Sequence, residues 1–276
     1  MNSTKFEKLG FKTRLFRMLR VDLRRIFVSH FLYILLAVCL LSPIAILVMT
    51  SAMDGTVTVD PQTGKESVIE GFDYVWQILG SVSSDIPAAE GTEGMSMNMS
   101  ITSMCNINML YFAMAVLVCV FTAQDFRSGF SKNLFAARAR KSDYVASKTL
   151  TCTLCAALML LCFTVGALLG GAIAGVSFAM VGFGIGNLIL SLLAKLLLAA
   201  VFVPIYLVMS VIAKQRLWLS LMLSLMTGMF LFMMIPMLTP LNATPLHPFF
   251  CAAGGILFSL GIGAISRTVL NKTSLV

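Results

Sequence analysis

The sequence predicts an all-α integral membrane protein, and two observations carry this prediction. First, 58% of the 276 residues are hydrophobic and only 12% are charged, whereas a soluble domain has about 45–50% apolar and about 25% charged residues. Second, six stretches stay apolar for about 20 residues, the length that an α-helix needs to cross a hydrocarbon core about 30 Å thick. We therefore predict one membrane domain built from six transmembrane helices.

The segments between these six stretches alternate in charge. Residues 1–30 contain eight Lys or Arg, residues 52–101 contain one Lys and eight acids, and residues 124–148 contain six basic residues and two acids. Lys and Arg beside a span stay on the cytoplasmic side, so we predict that both termini are cytoplasmic and that residues 52–101 are extracellular. The predicted spans are Phe31–Ser51, Thr102–Ala123, Thr149–Gly171, Leu190–Ala213, Leu217–Leu238 and Phe249–Ser266.

Residues 1–30 are predicted to form a cytoplasmic amphipathic helix that precedes the transmembrane domain at 31–276. A period of 3.6 residues places apolar side chains on one side and arginines on the other. This pattern suits a helix lying at the inner membrane interface, although a helix packed on a partner protein would show it too. The apolar set is Leu15, Phe16, Leu19, Leu23, Ile26 and Phe27, and the basic set is Arg14, Arg17, Arg20, Arg24 and Arg25.

Two segments on the predicted outer side have open interpretations. Residues 52–101 are too long for a simple turn, so they are either a small external structure or partly mobile. The stretch Pro236–Pro248 contains four prolines, which lack the backbone N–H that a continuous lipid-exposed helix requires. A broken or re-entrant element and a plain loop both fit this stretch.

The segment Gln124–Lys148, QDFRSGFSKNLFAARARKSDYVASK, directly follows the second predicted span. It is charged, it can be helical and it contains a glycine, Gly129, close to the end of the span. On physical grounds it could dock a cytosolic partner and pass motion to the spans on either side. The alternative is a basic loop that only fixes topology.

This segment resembles the loop after the second span in type-2 permeases of ATP-binding-cassette (ABC) exporters, especially the bacitracin-resistance and lantibiotic-immunity branch. The interfacial helix, the long outer loop and the six-span order extend the resemblance over most of the chain. The sequence departs from the common pattern in having Asp125 instead of glutamate and in lacking a proline near Ala137. The matching positions are Asp125, Gly129, Lys132, Asn133, Arg138, Ala139, Arg140, Lys141, Tyr144 and Lys148.

The resemblance implies the permease subunit of an ATP-driven exporter in the bacterial cell membrane, moving an amphiphilic substrate such as an antimicrobial peptide, a drug or a lipid. Its partners would be a separate ABC ATPase that carries ATP and Mg, a second permease copy or paralogue, and membrane lipid, with no nucleic acid. A non-transporting anchor or sensor partnered with an ABC ATPase is the alternative.

The resemblance also implies that residues 124–148 are the cytoplasmic coupling loop and that Gly129–Arg138 form a coupling helix received by a cleft on the ATPase. Phe130, Leu134 and Phe135 would be its apolar anchors, and Lys132 and Arg138 its polar rim contacts. The implied coupling residues are Asp125, Gly129, Phe130, Lys132, Asn133, Leu134, Phe135 and Arg138.

The sequence does not predict an enzyme or a metal site. The pair Gly64–Lys65 is followed by Glu66 and has Val59 where the first glycine of a phosphate loop would stand. The six predicted spans contain no histidine or carboxylate, so no catalytic group is expected within the membrane. Cys152 and Cys155 lack a second ligand pair, and we expect them to pack as small apolar side chains.

Lys195 is the one charge inside a predicted span. Charges within the membrane usually have a function, so a place on a substrate pathway or at an interface is one interpretation. Because residues 196–214 could span the membrane without it, an ammonium that snorkels to the outer surface is another. Pairing with a second group is the third.

Overall fold

The computed structural model describes residues 10–59, 66–68, 71–83, 105–136, 140–213 and 216–272. These residues are mainly helical, which confirms the predicted fold class in outline, although one short antiparallel strand pair and two 3-10 turns are present among them. The helices are α1 (Phe11–Val28), α2 (His30–Met53), α3 (Leu110–Arg127), α4 (Phe130–Ala136), α5 (Lys141–Ala174), α6 (Ile185–Ala213), α7 (Leu217–Phe232), α8 (Ile235–Leu238) and α9 (Leu246–Lys272), the strands are β1 (Val57–Val59) and β2 (Glu66–Val68), and the 3-10 turns are Val75–Leu79 and Ile107–Met109.

Five of these helices, α2, α3, α5, α6 and α9, are long and apolar enough to cross a membrane. The predicted fifth span is different, because α7 has only 16 residues. At 1.5 Å per residue α7 is about 24 Å long, which is short of a hydrocarbon core about 30 Å thick. The described part of the chain therefore supports five candidate spans, and the prediction of six is not confirmed.

Proline explains where the predicted fifth span breaks. An unbroken helix would need the amide of residue 236 to donate to the carbonyl of Phe232, and Pro236 has no amide hydrogen. Helix α7 ends at Phe232, and the short α8 follows with Pro236 in its first turn. The break at Phe232 therefore lies within the predicted fifth span. The stretch Pro236–Pro248 contains the end of α8, a non-helical segment at 239–245 and the start of α9.

Small residues bring the long helices close together. An added Cβ on Gly166 of α5 would lie only 2.2 Å from the carbonyl oxygen of Leu40 in α2. One turn further along α5, an added Cβ on Gly170 would lie 2.8 Å from the Cα of Ile44. Glycine lets two helix backbones approach at such points. The pairs α2–α5 and α6–α9 make the most extensive helix contacts of the described residues.

At one end of the bundle, part of the predicted outer segment is built into the fold. The indole Nε1 of Trp76 donates to the carbonyl of Phe178 at 3.1 Å, and the amide of Leu241 donates to the carbonyl of Ser81 at 2.8 Å. These bonds fasten the 3-10 turn Val75–Leu79 to the segments that follow α5 and α8. This part of the outer segment is a structured cap.

The other end carries α1, α4, the last turn of α3 and the first turns of α5, and we call it the basic end. The ammonium of Lys141 there donates to the carbonyl of Leu270 at 2.6 Å, which places the end of α9 beside the start of α5. Six described arginines or lysines of α1 lie in this region, together with Arg127 at the end of α3.

Candidate functional site

Four charged side chains form a buried network at the basic end, and we call it the charge network: Asp22, Arg25, Asp125 and Lys148. The ammonium of Lys148 lies 2.9 Å from Asp22 Oδ1 and 2.7 Å from Asp125 Oδ2. The guanidinium of Arg25 lies 2.8 Å from Asp125 Oδ1. The hydroxyl of Tyr144 donates to Asp125 Oδ2 at 3.0 Å. The charge network thus joins three helices, α1, α3 and α5.

Helical spacing explains why these side chains converge. Asp22 and Arg25 are three residues apart on α1, and Tyr144 and Lys148 are four residues apart on α5, so each pair shares one face of its helix. Asp125 lies in the last turn of α3. The hydroxyl of Ser147, also on α5, donates to Asp22 Oδ2 at 2.6 Å. The contact between α1 and α5 therefore includes polar side chains from both helices.

Because the charge network is buried, its stability depends on each charge having a partner of opposite sign. The side chains of Asp125 and Lys148 are 0% exposed, that of Asp22 is 1% exposed and that of Arg25 is 27% exposed. Two carboxylates face two cations, so the charge network is neutral overall. A buried charge that loses its partner is strongly destabilising, which means that α1, α3 and α5 are held in one mutual arrangement.

Aromatic rings extend the network into α4. The Lys148 ammonium lies 3.6 Å from the ring centroid of Phe121, and the Arg25 guanidinium lies 3.9 Å from the ring centroid of Phe130. Both are cation–π distances. Phe130 is the first residue of α4, so Arg25 contacts both the end of α3 and the start of α4.

The turn between α3 and α4 depends on Gly129, whose φ of +71° lies in the left-handed region. A side chain at this position would strain the backbone. Just before the glycine, Asp125 is buried, and its carbonyl accepts a 3.2 Å hydrogen bond from the hydroxyl of Ser131. The helix that follows the glycine, α4, has seven residues, Phe130–Ala136, whereas the helix implied by the resemblance extends to Arg138.

The predicted coupling residues on α4 point in two directions. Lys132 and Asn133 are exposed. Phe130, Leu134 and Phe135 are half-buried against their own chain, and the Phe135 ring contacts that of Tyr144 with 5.5 Å between centroids. The predicted apolar anchors are thus partly used inside this chain. Arg138 lies outside the described residues.

A groove of about 500 Å³ separates α1 from α4. Met18 and Val21 of α1 and Phe130 and Leu134 of α4 form its apolar floor. Its rim is charged, and consists of Arg14, Arg17, Arg140 and Asp143. Phe130 and Leu134 therefore keep a surface that another molecule can reach, whereas Phe135 does not line the groove.

Helix α1 differs from the simple two-sided helix that the sequence predicts. Asp22 is at the centre of its packed side, and the guanidinium of Arg14 turns inward to Asp143 Oδ2 at 2.9 Å. Phe16 is 70% exposed and Phe27 is 41% exposed. Two members of the predicted basic face, Arg14 and Arg25, thus pair with carboxylates, because acids on α3 and α5 lie within their reach.

Lys195 is enclosed within the described part of the chain, with an exposed fraction of 1%. Its ammonium donates to Thr239 Oγ1 at 2.9 Å, to the carbonyl of Thr239 and to Ser191 Oγ at 3.4 Å. The ammonium therefore does not reach the surface of the described part of the chain, which the snorkelling interpretation requires. The Lys195 side chain instead joins α6 to Thr239, the residue directly after α8, because Thr239 supplies two oxygens at that position.

Sequence reasoning missed the charge network as a unit. It placed Arg25 on a basic face and named Tyr144 and Lys148 only as parts of a motif, and it assigned no role to Asp22. One signal was available, because Asp22 is the single acid between residues 8 and 53. An acid in so basic a segment predicts an ion pair, but the sequence alone does not name the partner.

A protein-family model matches more than half of the chain. Residues 74–232 match the family described as ABC-2 family transporter protein. The chain belongs to that family. It is therefore a multi-pass membrane protein and a permease-type component of an ABC transporter, and the family implies an ABC ATPase subunit as its partner. No curated protein and no solved structure matches the chain.

Proposed function

We propose that this ABC-2 family protein is the permease subunit of an ABC exporter that moves an amphiphilic substrate, such as an antimicrobial peptide, a drug or a lipid. The observation that carries the proposal is the charge network, which ties α1 to two candidate spans within a chain of this family. Its Arg25 also lies against the ring of Phe130, the first residue of α4. A force applied to α4 would reach α3 and α5 through Asp125 and Lys148. Rigid coupling of this kind suits a two-state transporter.

The basic end is the cytoplasmic end in this proposal, with both termini on that side of a bacterial cell membrane. Arginines and lysines beside the spans favour the cytoplasmic side, and α1 with Arg17, Arg20 and Arg24 exposed is suited to the inner membrane interface. The shorter α7, together with α8, serves as the sixth crossing. This arrangement makes α4 accessible to a cytosolic protein.

Helix α4 docks the ATPase, and the exposed Lys132 and Asn133 supply polar contacts. The groove between α1 and α4 adds an apolar floor through Phe130 and Leu134, next to the arginines of its rim. ATP and Mg bind to the ATPase, and the permease works as a dimer with a second copy or a paralogue. Closure of the ATPase on ATP then pushes α4 and, through the charge network, the helices on either side.

The test is copurification of the tagged chain with a coexpressed ABC ATPase in detergent, comparing the wild type with Lys132→Glu. Arg216→Glu is the matched control, because Arg216 is also an exposed cation at the basic end but lies before α7. We expect the ATPase with the wild type and with the control, and a loss of at least tenfold with Lys132→Glu. Equal retention by both variants would contradict docking at α4.

Transport is tested in vesicles that contain the copurified complex. ATP-dependent movement of a fluorescent amphiphilic peptide or lipid supports the exporter. A complex that hydrolyses ATP and binds the peptide but moves nothing would instead indicate an anchor or sensor. Absence of any ATPase with the wild-type chain would overturn the proposal as a whole.

A further inference from the structure

A second groove lies at the basic end, away from α1 and α4. It runs between the first turns of α5 and the last turns of α9 and has a volume of about 470 Å³. The hydrogen bond from Lys141 to the carbonyl of Leu270 holds these two helix ends side by side. We call it the α5–α9 groove, and it belongs to neither the charge network nor the α4 surface.

The groove extends from the end of the bundle into the depth of a membrane. Its lining on α9 runs from Arg267 back to Ser259, and eight residues of helix are about 12 Å long. Leu150 of α5 lies at the deep end and is 44% exposed, and Leu260 of α9 is 70% exposed. The groove therefore opens towards lipid along one leaflet, with Arg267 at the level of the head groups.

The walls of the groove are apolar in practice, although three hydroxyl residues line it. The hydroxyl of Thr149 donates to the carbonyl of Val145 at 2.9 Å, and that of Ser259 donates to the carbonyl of Ala200 at 3.2 Å. Ser142 donates to Asp143 Oδ1 at 3.3 Å. Because these donors are already used, the walls suit a hydrocarbon chain.

Small residues make room for that chain. An added Cβ on Gly263 would have Val145 Cγ1 as its nearest neighbour, at 3.9 Å. Ala264 follows, so the α9 wall has almost no side-chain volume over two residues. A slot without bulky side chains suits a linear acyl chain.

Arg267 is the one charged residue among those that line the groove in the described part of the chain. It is exposed, and no ion pair joins it to a carboxylate of the described residues. The acid of α5, Asp143, does not line the groove and pairs with Arg14 of α1 at 2.9 Å. A guanidinium pairs well with a phosphate, often through two hydrogen bonds.

We propose that the α5–α9 groove binds one anionic phospholipid from the leaflet at the basic end, with its phosphate on Arg267 and one acyl chain along Gly263 and Ala264. Basic pockets between transmembrane helices are suited to anionic head groups, and this groove joins such a cation to an apolar slot. The proposal needs only that the helices lie in a membrane. It is independent of ATPase docking and of the transported substrate.

Native mass spectrometry of the purified full chain in detergent tests the proposal. The probes are dioleoyl phosphatidylglycerol, which is anionic, and dioleoyl phosphatidylcholine, which carries the same acyl chains but no net charge. We expect the wild type to saturate at one phosphatidylglycerol per chain, with an affinity about tenfold above that for phosphatidylcholine. A tenfold ratio corresponds to one charge-assisted interaction.

Two variants probe the two halves of the groove. Arg267→Gln should remove the preference for phosphatidylglycerol, whereas Arg216→Gln, a cation outside the groove, should keep it. Gly263→Leu should weaken binding of both lipids by filling the slot. Gly261→Leu is its control, because an added Cβ on Gly261 meets nothing within 4 Å and Gly261 does not line the groove.

Three results would overturn the proposal. Equal losses in Arg267→Gln and Arg216→Gln would mean diffuse attraction to positive charge. Unchanged lipid binding in Gly263→Leu would mean that no chain lies in the slot. If Gly263→Leu lowered the dimer fraction in the same spectra and left lipid binding unchanged, the groove would be a contact between two copies of the chain.

Discussion

Lys148 and Lys195 are both almost completely buried in long apolar helices, with exposed fractions of 0% and 1%, yet their surroundings differ. Lys148 lies between two carboxylates, those of Asp22 and Asp125, at 2.9 and 2.7 Å. Lys195 contacts only neutral oxygens of Thr239 and Ser191 among the described residues. One charge is matched by opposite charge, and the other is held by dipoles.

This difference separates two kinds of buried cation in one membrane domain. Removing Lys148 leaves two buried carboxylates to share Arg25, and unpaired buried charge is costly. Removing Lys195 leaves neutral oxygens, whose loss of a donor costs less. Burial alone therefore does not predict how much stability is lost when either lysine is substituted, because that loss depends on the charge of the neighbouring groups.

The largest effect is expected for Lys148→Met, which keeps the side-chain length but removes the charge. We expect a loss of about 3–5 kcal/mol in the free energy of unfolding, since a buried ion pair is broken. Denaturant titration in mixed micelles, followed by tryptophan fluorescence, measures it. Lys132→Met, at an exposed position on α4, is the control, and equal stability of the two variants would contradict the role of the charge network.

The second prediction sharpens the assignment of partners. Combining Lys148→Met with Asp22→Asn removes one cation and one anion together. The free energy of unfolding should therefore fall by less in the double variant than the sum of the losses in the two single variants. We expect a coupling free energy of about 1–3 kcal/mol, within the range for residues in contact. Additive losses would show that Asp22 and Lys148 do not interact in the folded protein.

The third prediction concerns the other lysine. Lys195→Met should cost about 1–2 kcal/mol, because Thr239 loses a donor but no charge is left unpaired. The hydroxyl of Ser191 already donates to the carbonyl of Thr239 at 3.3 Å, which limits the cost. The same denaturant titration measures this loss. A loss as large as that of Lys148→Met would contradict the assignment of neutral partners to Lys195, because it would require a carboxylate partner.

The smallest effect is expected for Ser191→Ala. The Ser191 hydroxyl accepts from the Lys195 ammonium at 3.4 Å and donates to the Thr239 carbonyl at 3.3 Å, and hydrogen bonds of those lengths are weak. We expect a loss of about 0.5 kcal/mol or less, against about 1 kcal/mol for a typical hydrogen bond. If the unfolding titration gave a loss above about 1.5 kcal/mol, Ser191 rather than Thr239 would be the main support of Lys195.

Several features of the fold could be predicted because they depend on short stretches of chain. The apolar stretch Thr149–Gly171 predicted a span, and it lies within α5 (Lys141–Ala174). The helix extends further because hydrophobicity reports only the part inside the membrane, and charged residues continue the same helix beyond it. The prolines of Pro236–Pro248 predicted an interruption, but not that the helix would end four residues before Pro236.

The candidate site was only partly predictable. The glycine turn at Gly129 was expected from local sequence, and the short helix after it was implied by the family resemblance; the structure has a left-handed Gly129 followed by α4. The direction of the side chains on α4 could not be predicted, because Phe135 contacts Tyr144 only when α4 packs against α5. The partner of Arg25 could not be predicted either, because Asp125 lies 100 positions away in the sequence.

The apolar helices, the basic segments between them and the glycine turn could be read from the sequence, because each depends on the residues of one segment. Only the tertiary structure decided that Asp22 pairs with Lys148 and that Lys195 binds Thr239. A helical period assigns every side chain to a face of its own helix, but it does not say which faces of separate helices meet. Packing makes that choice, and with it the pairing of buried charges.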